Sequence, residues 1–357
     1  MARGPRRPGC PSCRQVDTAW RRTSYSALSA AGDTASAHAT VGSEPEEPPR
    51  DDEADLTAVV PVTSTSPDAL PSPMADLPVG ATFGSLVHAV LEHADPQASD
   101  LATELRTHVH EQLVRWPVAV DVDVLVDALI AVCDSPLGPL ADGRTLRDIG
   151  VRDRLREMDF ELPLAGGDAR DRQPGAQVTL GDVAPLLLGH LPEGDPLLPY
   201  AKALASPSLG GQELRGYLTG SVDVVLRVGT GDHTRYLVVD YKTNWLGGLP
   251  GEDGPVLTSD DYRPTVLREA MGHSDYPLQA LLYAVVLHRF LRWRQPGYDP
   301  EIHLGGVLYL YLRGMCGPAT PSVDGEPCGV FSWRPPAALV GALSDLLDGA
   351  VPAEVSR

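Results

Sequence analysis

Apolar residues in the first third of the sequence recur at the spacing of amphipathic helices. The stretch TFGSLVHAVLEHAD, which begins at Thr82, gathers its large apolar side chains on one broad helical face. These side chains are Phe83, Leu86, Val87, Val90 and Leu91. The same periodicity predicts further helices over 99–115 and 121–133. Three helices in succession are therefore expected before the first long strand.

Strand patterns follow. The stretch RLREMDFELPL predicts a strand after Arg156 whose one face carries Met158, Phe160 and Leu162. Residues 165–200, rich in Gly and Pro, predict loops with a short helix. The runs LRGYLTGSVDVVLRVG and TRYLVVDYKTNW then flank the polar turn GTGDH, which is typical of a β-hairpin.

The last third of the pattern alternates helix and strand. A long helix is predicted over 274–293, an apolar strand over 305–312, and an amphipathic helix from about Pro336. No repeat at a solenoid period is present in the sequence. The expected fold class is α/β, with a small mixed β-sheet flanked by helices.

Composition divides the chain into five parts. Residues 1–16 predict a disordered basic tail, and 17–29, which contain WRRTSYSALS, predict a short ordered segment. Residues 30–78 are rich in Ala, Ser, Thr, Pro and acidic residues, which predicts a flexible acidic and Pro-rich linker. One domain is expected over 79–348, followed by a tail over 349–357.

Charge and cysteine content narrow the classes of function. Acidic residues outnumber basic ones by 48 to 29, a net charge of −19, which argues against a large basic surface that binds nucleic acid unaided. Five scattered cysteines suggest no disulfide framework, and the single CPSC motif at Cys10–Cys13 lacks a second pair for a zinc site. No apolar run spans a bilayer and the start does not resemble a signal peptide, so a soluble, cytoplasmic protein without a membrane role is expected.

Charged residues interrupt both predicted hairpin strands. Asp240 and Lys242 are two residues apart and therefore share one strand face, while Asp223 lies within the valine-rich partner strand. An ion pair that closes a strand is the structural alternative for Asp240 and Lys242. An Asp followed by Asp-x-Lys across an antiparallel pair also suits magnesium-dependent phosphodiester cleavage, because two carboxylates hold a hard cation and a lysine offsets charge on the phosphate.

Three more polar positions are candidates. Gln279 and Tyr283 are four residues apart on the long helix and so share a face, where they either cap a buried helix or serve a site. His88 lies on the apolar side of its helix, as a core histidine or a ligand. The stretch HAVLEH, with His88, Glu92 and His93, loosely resembles zinc hydrolase helices but lacks the HExxH spacing.

Several motifs together resemble one family. GYLTGSVDVVLRV, RYLVVDYKTNWLG, YPLQALLYAVVLHRFLRWR and HLGGVLYLYLRGM, in this order, closely resemble the C-terminal nuclease domain of RecB subunits of RecBCD helicase-nucleases, the exodeoxyribonuclease V beta chains. WRRTSYSALS, GATFGSLVHAVLE and RLREMDFELPL resemble the same family. The resemblance extends from Trp20 to about Leu347 and implies a PD-(D/E)xK, restriction-endonuclease-like core.

The resemblance also implies roles for individual residues. His88, Asp223 and Asp240 match the family's metal-binding positions, here for Mg²⁺, and Lys242 matches its catalytic lysine.

Two further matches lie outside that central set. Gln279 and Tyr283 match the family's QxxxY motif beside the active site. Glu157 falls where a further acidic residue of the family is expected.

The implied function is a Mg²⁺-dependent DNA nuclease that acts on single-stranded ends during double-strand-break processing and recombinational repair. The sequence lacks the GxxxxGK[ST] phosphate loop of a helicase, so a helicase portion and RecC- and RecD-like subunits are expected to be supplied elsewhere. The chain could be a fragment, a split-gene product or a stand-alone relative. The rival hypotheses are a catalytically silent scaffold that docks partner subunits and, more remotely, a zinc hydrolase.

Overall fold

The structure is a computed structural model that describes residues 21–24, 68–164, 178–248 and 256–349. The predicted tail over 1–16, the predicted linker up to residue 67 and the C-terminal tail beyond residue 349 lie outside the described residues.

Helices and strands alternate along the described residues much as the hydrophobic pattern predicts. The helices are α1 (Ala81–His93), α2 (Leu101–Gln112), α3 (Val122–Asp134), α4 (Val183–His190), α5 (Tyr200–Leu204), α6 (Pro207–Gly210), α7 (Pro264–Gly272), α8 (Tyr276–Arg294), α9 (Pro300–His303) and α10 (Ala337–Leu347). The strands are β1 (Arg21–Thr23), β2 (Arg154–Pro163), β3 (Gly216–Val228), β4 (Arg235–Lys242), β5 (Leu304–Tyr311), β6 (Ser322–Val323), β7 (Glu326–Pro327) and β8 (Val330–Trp333). The predicted helices, hairpin and apolar strand are confirmed to within a few residues.

A mixed sheet of six strands forms the centre of the fold. β3 and β4 are the predicted antiparallel hairpin, β4 runs parallel to β5, and β5 pairs antiparallel with β8. β2 runs antiparallel along one edge of β3. The other edge of β3 is shared, because β1 pairs with its first residues and β4 with its last ones. The predicted α/β class with a small mixed sheet is therefore confirmed.

Helices cover both faces of this sheet. One hydrophobic cluster packs α1, α2 and α3 on a face that includes Val224, Val239 and Leu308. A second cluster packs α4, α5, α7, α8 and α10 on the opposite face. All residues of β5 are buried, as expected for a strand with an unbroken apolar run and helices on either side.

The sheet is distorted at one position of β3. Val222 packs in the cluster that contains α8, whereas Val224, two residues later, packs in the cluster that contains α1. A regular strand would place both side chains on one face. The residue between them is Asp223. On β2, Glu157 lies between the partners of Val224 and Val222, and its φ of 43° lies in a region that non-glycine residues rarely adopt. The distortion therefore coincides with the predicted site.

The prediction of a flexible linker over 30–78 is wrong at its C-terminal end. Met74 is fully buried and Leu77 nearly so, and both belong to the cluster that contains α1. Pro71 forms an isolated bridge with Thr258, and the buried guanidinium of Arg313 donates hydrogen bonds to the carbonyl oxygens of Met74 and Leu77. Two apolar anchors and one buried arginine thus fix a segment whose average composition is typical of a linker.

Candidate active site

The site begins where the β3–β4 ladder ends. The last pair of that ladder is Val224 with Val239, so the next residues along the two strands are Asp223 and Asp240. On the far side of β4, Asp240 pairs with Tyr309 of β5. The two aspartates and Tyr309 therefore lie in one row across the sheet, and within that row the paired residues Asp240 and Tyr309 point to the same face.

Asp223 is held by two neighbours. Its Oδ2 accepts a hydrogen bond of 2.8 Å from the backbone N of Tyr241 and lies 3.4 Å from Nδ1 of His88. Burial acts to raise the pKa of Asp223, but the attraction and hydrogen bond of His88, the bond from Tyr241 and the charge of Lys242 together hold that pKa below its usual value. Asp223 is therefore ionised at neutral pH.

Asp240 and Lys242 form a buried ion pair. Oδ2 of Asp240 lies 2.9 Å from Nζ of Lys242, and only 4% and 5% of the respective side chains are exposed. Burial, opposed by the charge of Lys242 and reinforced by that of Asp223, raises the pKa of Asp240 to about 7. Within the described residues, Oδ2 accepts no hydrogen bond of regular geometry. The Asp240 carboxylate can therefore interact with a further positively charged group.

Two tyrosine rings surround the ammonium of Lys242. Its Nζ lies 4.2 Å from the ring centroid of Tyr276 and 5.7 Å from that of Tyr309. The two rings are stacked with centroids 5.7 Å apart and an interplanar angle of 28°. Ring faces attract cations, so they partly replace the water that burial removes from the ammonium.

Gln279 and Tyr283 lie behind Tyr309. The hydroxyl of Tyr309 donates to Oε1 of Gln279 at 2.9 Å, and Nε2 of Gln279 donates to the hydroxyl of Tyr283 at 3.0 Å. Tyr283 in turn donates to the carbonyl oxygen of Ser221 at 2.8 Å. Both residues of the QxxxY motif are buried, and Gln279 is connected to the row of site residues by its hydrogen bond with Tyr309.

Glu157 lies at the outer end of the row. It lies on β2 between Arg156, which pairs with Val224, and Met158, which pairs with Val222, and its side chain is exposed. Burial, followed by a hydrogen bond and charge repulsion from Glu157, raises the pKa of Glu92. Glu92 is one helical turn beyond His88 on α1, so the same helix face contributes a histidine and a glutamate to this end of the site.

A model of the PD-(D/E)XK nuclease superfamily matches residues 67–324. The chain belongs to this superfamily. It is 58% identical to RecBCD enzyme subunit RecB of Mycolicibacterium smegmatis, over 95% of this chain and 30% of that protein. The identity to RecBCD enzyme subunit RecB of Escherichia coli K12 is 31%, over 92% of this chain and 23% of that protein. The resemblance to RecB nuclease domains is thereby confirmed, and the chain spans less than a third of the length of these relatives.

PD-(D/E)XK nucleases generally use divalent metal ions, and the donor set of this superfamily member fits one. His88, Asp223 and Asp240 offer an imidazole and two carboxylates, and hard divalent cations prefer oxygen ligands. The buried Oδ2 of Asp240, with its incomplete hydrogen bonding, is the group that most needs such a partner. In the part of the chain that the structure describes, however, no three His, Cys, Asp or Glu side chains form a preformed cluster around one point. A bound ion would therefore draw these ligands together.

The zinc hydrolase hypothesis finds no matching geometry around His93. Its Nδ1 lies 2.7 Å from the carbonyl oxygen of Ala89, and its ring is 6.2 Å from that of His108. His88 instead contacts Asp223. The two histidines thus engage different groups. Cys10 and Cys13 lie outside the described residues.

Sequence reasoning did not assign Glu92, Tyr276 or Tyr309 to the candidate nuclease site, and it named Glu92 only in the zinc hydrolase alternative. One signal of the Lys242 environment was present in the sequence, which contains only two lysines, Lys202 and Lys242, among 29 basic residues. As a separate observation, none of the helices among the described residues is long and apolar enough to cross a membrane.

Proposed function

We propose that this chain is a Mg²⁺-dependent DNA nuclease domain that hydrolyses phosphodiester bonds. The observation that carries the proposal is the buried pair of Asp240 and Lys242 beside Asp223, at the point where the β3–β4 ladder ends. Replacing a buried ion pair with apolar residues is often neutral or stabilising, so stability alone gives no reason to keep one here. Metal-dependent cleavage of a phosphodiester would use two carboxylates and an ammonium together.

Each residue has a role that follows from its position. His88, Asp223 and Asp240 would hold the ion, which when bound neutralises charge on the phosphate and lowers the pKa of a bound water. Lys242 carries a positive charge and three N–H donors, and it offers one of them to a phosphate oxygen or to the attacking water. Glu92 and Glu157 lie beside each other next to this set, where they would supply further polar groups to water near the ion.

The substrate we propose is the single-stranded end of DNA during double-strand-break processing and recombinational repair. The relatives reported above are RecB subunits of RecBCD enzymes. By analogy, RecC- and RecD-like subunits and a helicase portion from elsewhere would deliver the strand, and the setting would be the cytoplasm. A net charge of −19 supports this dependence on delivery, because phosphate contacts supply most non-specific DNA binding.

A catalytically silent scaffold is the alternative, and the retained charges argue against it. A scaffold gains nothing from a carboxylate whose pKa burial raises to about 7. It likewise gains nothing from an ammonium that is 95% buried, since ions removed from water cost free energy unless they are compensated.

The test is cleavage of a 5′-labelled single-stranded oligonucleotide by purified chain with Mg²⁺, with and without excess EDTA. We expect cleavage with Mg²⁺, none with EDTA, and none from Asp240→Asn. The matched control is Asp232→Asn, which removes an exposed carboxylate in the hairpin turn and should cleave like the wild type. Cleavage that persists in EDTA, or an Asp240→Asn variant as active as Asp232→Asn, would refute the proposal.

A further inference from the structure

Lys242 is enclosed by aromatic rings that no motif assignment covers. Its ammonium lies 4.2 Å from the ring centroid of Tyr276 and 5.7 Å from that of Tyr309, and the rings stack on each other. We propose that Tyr276 and Tyr309 are positioning residues that hold the Lys242 ammonium in the site. The QxxxY pair, Gln279 and Tyr283, then acts on the reaction through these rings. The catalytic part of this inference rests on the proposed nuclease function.

The ammonium has lost most of its hydration and has three donors to satisfy. Asp240 supplies one negative partner at 2.9 Å. The face of the Tyr276 ring supplies a second attractive surface that, unlike another carboxylate, adds no charge beside the phosphate that the site would bind. The two ring faces and the Asp240 carboxylate therefore hold the cation beside Asp223.

Hydrogen bonds fix the Tyr309 ring at its hydroxyl. This hydroxyl is shared between Oε1 of Gln279 at 2.9 Å and the carbonyl oxygen of Tyr276 at 3.2 Å. Gln279 continues the chain to Tyr283, which bonds the carbonyl oxygen of Ser221. We call the two tyrosine rings around the Lys242 ammonium the lysine cage. Ser221 precedes Asp223 by two residues on β3, so one continuous chain of hydrogen bonds links this cage to the strand that carries Asp223.

The Tyr276 ring is fixed from the other side. Its hydroxyl donates to Oδ1 of Asn244 at 3.2 Å, and Asn244 follows Lys242 by two residues. The loop that leaves β4 and the N-terminal turn of α8 are thus joined at the cage. Both rings are held at their hydroxyl ends, which leaves their faces in place for the ammonium.

These contacts change the role expected for Gln279 and Tyr283. Only 2% of Gln279 is exposed, and its amide is engaged on both sides by tyrosine hydroxyls. In this arrangement neither motif residue touches a substrate. Both are positioning residues, and their loss should act by releasing Tyr309 and hence Lys242.

The first experiment observes Lys242 directly, without any cleavage. The chain contains two lysines, so protein labelled with ¹³C- and ¹⁵N-lysine gives two side-chain signals, and exposed Lys202 is a built-in reference. Lys242→Met identifies the second signal. We expect the Lys242 Cε–Hε resonances upfield of those of Lys202, because the ammonium end lies over a ring face. Tyr276→Leu should abolish this shift, and Tyr276→Phe, which keeps the ring, should retain it.

An unshifted Lys242 signal in the wild type would overturn the cage. So would a shift that Tyr276→Leu leaves unchanged while the Lys202 signal and the circular dichroism spectrum report a folded protein. Tyr309→Leu, which removes the other ring, should also reduce the shift and replaces Tyr276→Leu if that variant fails to fold. Because this readout is independent of cleavage, failure of the nuclease proposal would not affect it.

The second experiment tests the indirect action of Gln279. We expect Gln279→Met and Tyr309→Phe each to lower kcat with little change in KM, by up to about 10²-fold, since small misplacements of a catalytic group cost that much. The double variant should be no slower than the slower single variant, because both changes break the same link. Effects that multiply, or a rise in KM alone, would show that Gln279 acts independently and would overturn this part of the proposal.

Discussion

The carboxylate of Asp240 and the ammonium of Lys242 lie 2.9 Å apart, with about 95% of each side chain removed from solvent. Attraction between them offsets only part of the free energy that burial costs the carboxylate, which is why the pKa of Asp240 remains near 7. The site thus holds a carboxylate that is poorly stabilised by the protein alone. Either a bound cation or a proton would stabilise the Asp240 carboxylate, and both kinds of binding can be measured.

The first prediction concerns stability against pH in the metal-free protein. The folded state binds a proton on Asp240 up to about pH 7, whereas the unfolded chain releases it near the ordinary pKa of 3.8. Stability falls with pH wherever the folded state binds more protons, so Asp240 lowers the free energy of unfolding between about pH 4 and pH 7. Each pKa unit corresponds to about 1.4 kcal/mol, which makes the decline on the order of a few kcal/mol.

Urea unfolding in EDTA at pH 5, 6, 7 and 8 measures this decline. Other groups also titrate in this range, so the useful quantity is the difference between wild type and Asp240→Asn. We expect the wild type to lose stability relative to the variant as pH rises and the difference to level off above pH 7. Parallel curves for the two proteins would contradict the raised pKa of Asp240.

The second prediction concerns metal binding. Metal ligands must be deprotonated, so a cation competes with the proton on Asp240. We expect Mg²⁺, or Ca²⁺ as a substitute, to raise the Tm more at pH 8 than at pH 5.5. Asp223→Asn and His88→Ala should reduce the increase, and exposed Asp232→Asn should not. Equal increases at both pH values, or in all variants, would place the cation elsewhere.

The third prediction uses the two lysines. Lys242→Arg keeps the positive charge but replaces a compact ammonium with a planar guanidinium, which is too large for the space between Asp240 and the ring of Tyr276. We expect cleavage to fall by about 10²-fold or more, as for a displaced catalytic group. Lys202→Arg, on an exposed helix position, should cleave like the wild type. Near-normal activity of Lys242→Arg would mean that charge alone suffices at this position.

The order of helices and strands was predictable from the sequence because it depends on local periodicity. The two charged positions in the hairpin, Asp223 and Asp240, were likewise visible, since charge inside an apolar strand run stands out against its neighbours. Lys242 shares a face with Asp240 by simple alternation. These three residues were therefore proposed from the sequence alone, and the structure places them side by side.

The surroundings of the site depend on contacts between distant segments, and local patterns do not report them. In the sequence, Tyr309 is indistinguishable from the other residues of an apolar strand. Only the parallel register with β4 places it opposite Asp240. Assigning Glu92 to the candidate site requires knowing that the end of α1 lies beside β2. Met74 and Leu77 are too few to change the composition of a Pro-rich stretch, yet they anchor it in the core.

The fourth prediction concerns Arg313, which is fully buried. Its guanidinium donates to the carbonyl oxygens of Thr243 and Met74 and lies between the rings of Phe83 and Trp245. Arg313→Met should leave these carbonyls without their donor and lower the free energy of unfolding by about 3 kcal/mol or more.

Limited proteolysis gives a second readout for Arg313. We expect cleavage within residues 68–80 to be faster in Arg313→Met, because the arginine ties that segment to the loop after Lys242. Arg334→Met is the control, since this exposed arginine bonds one surface carbonyl and its loss should change neither measurement. Wild-type stability and protease resistance in Arg313→Met would show that the apolar anchors alone hold the segment.

The fifth prediction concerns DNA affinity. Three arginines, Arg289, Arg292 and Arg294, lie near the C-terminal end of α8 and are the basic groups there that could contact DNA. Arg289 is already committed, because its guanidinium lies 2.9 Å from a carboxylate oxygen of Asp348, and the guanidinium of Arg294 stacks 4.2 Å from the ring of Trp293. With a net charge of −19, few cations remain for phosphate contacts.

We therefore expect the isolated chain to bind single-stranded DNA no more tightly than typical non-specific binding, roughly 10⁻⁴ to 10⁻⁶ M at physiological salt. Fluorescence anisotropy with a labelled oligonucleotide, in Ca²⁺ to prevent the proposed Mg²⁺-dependent cleavage, measures this affinity. Adding a RecB-type helicase and a RecC-like partner should then raise the cleavage rate by increasing the local concentration of the strand, with no change in the active site. Nanomolar binding by the chain alone would mean that it has its own DNA-binding surface, and delivery by partners would no longer be needed to explain its function.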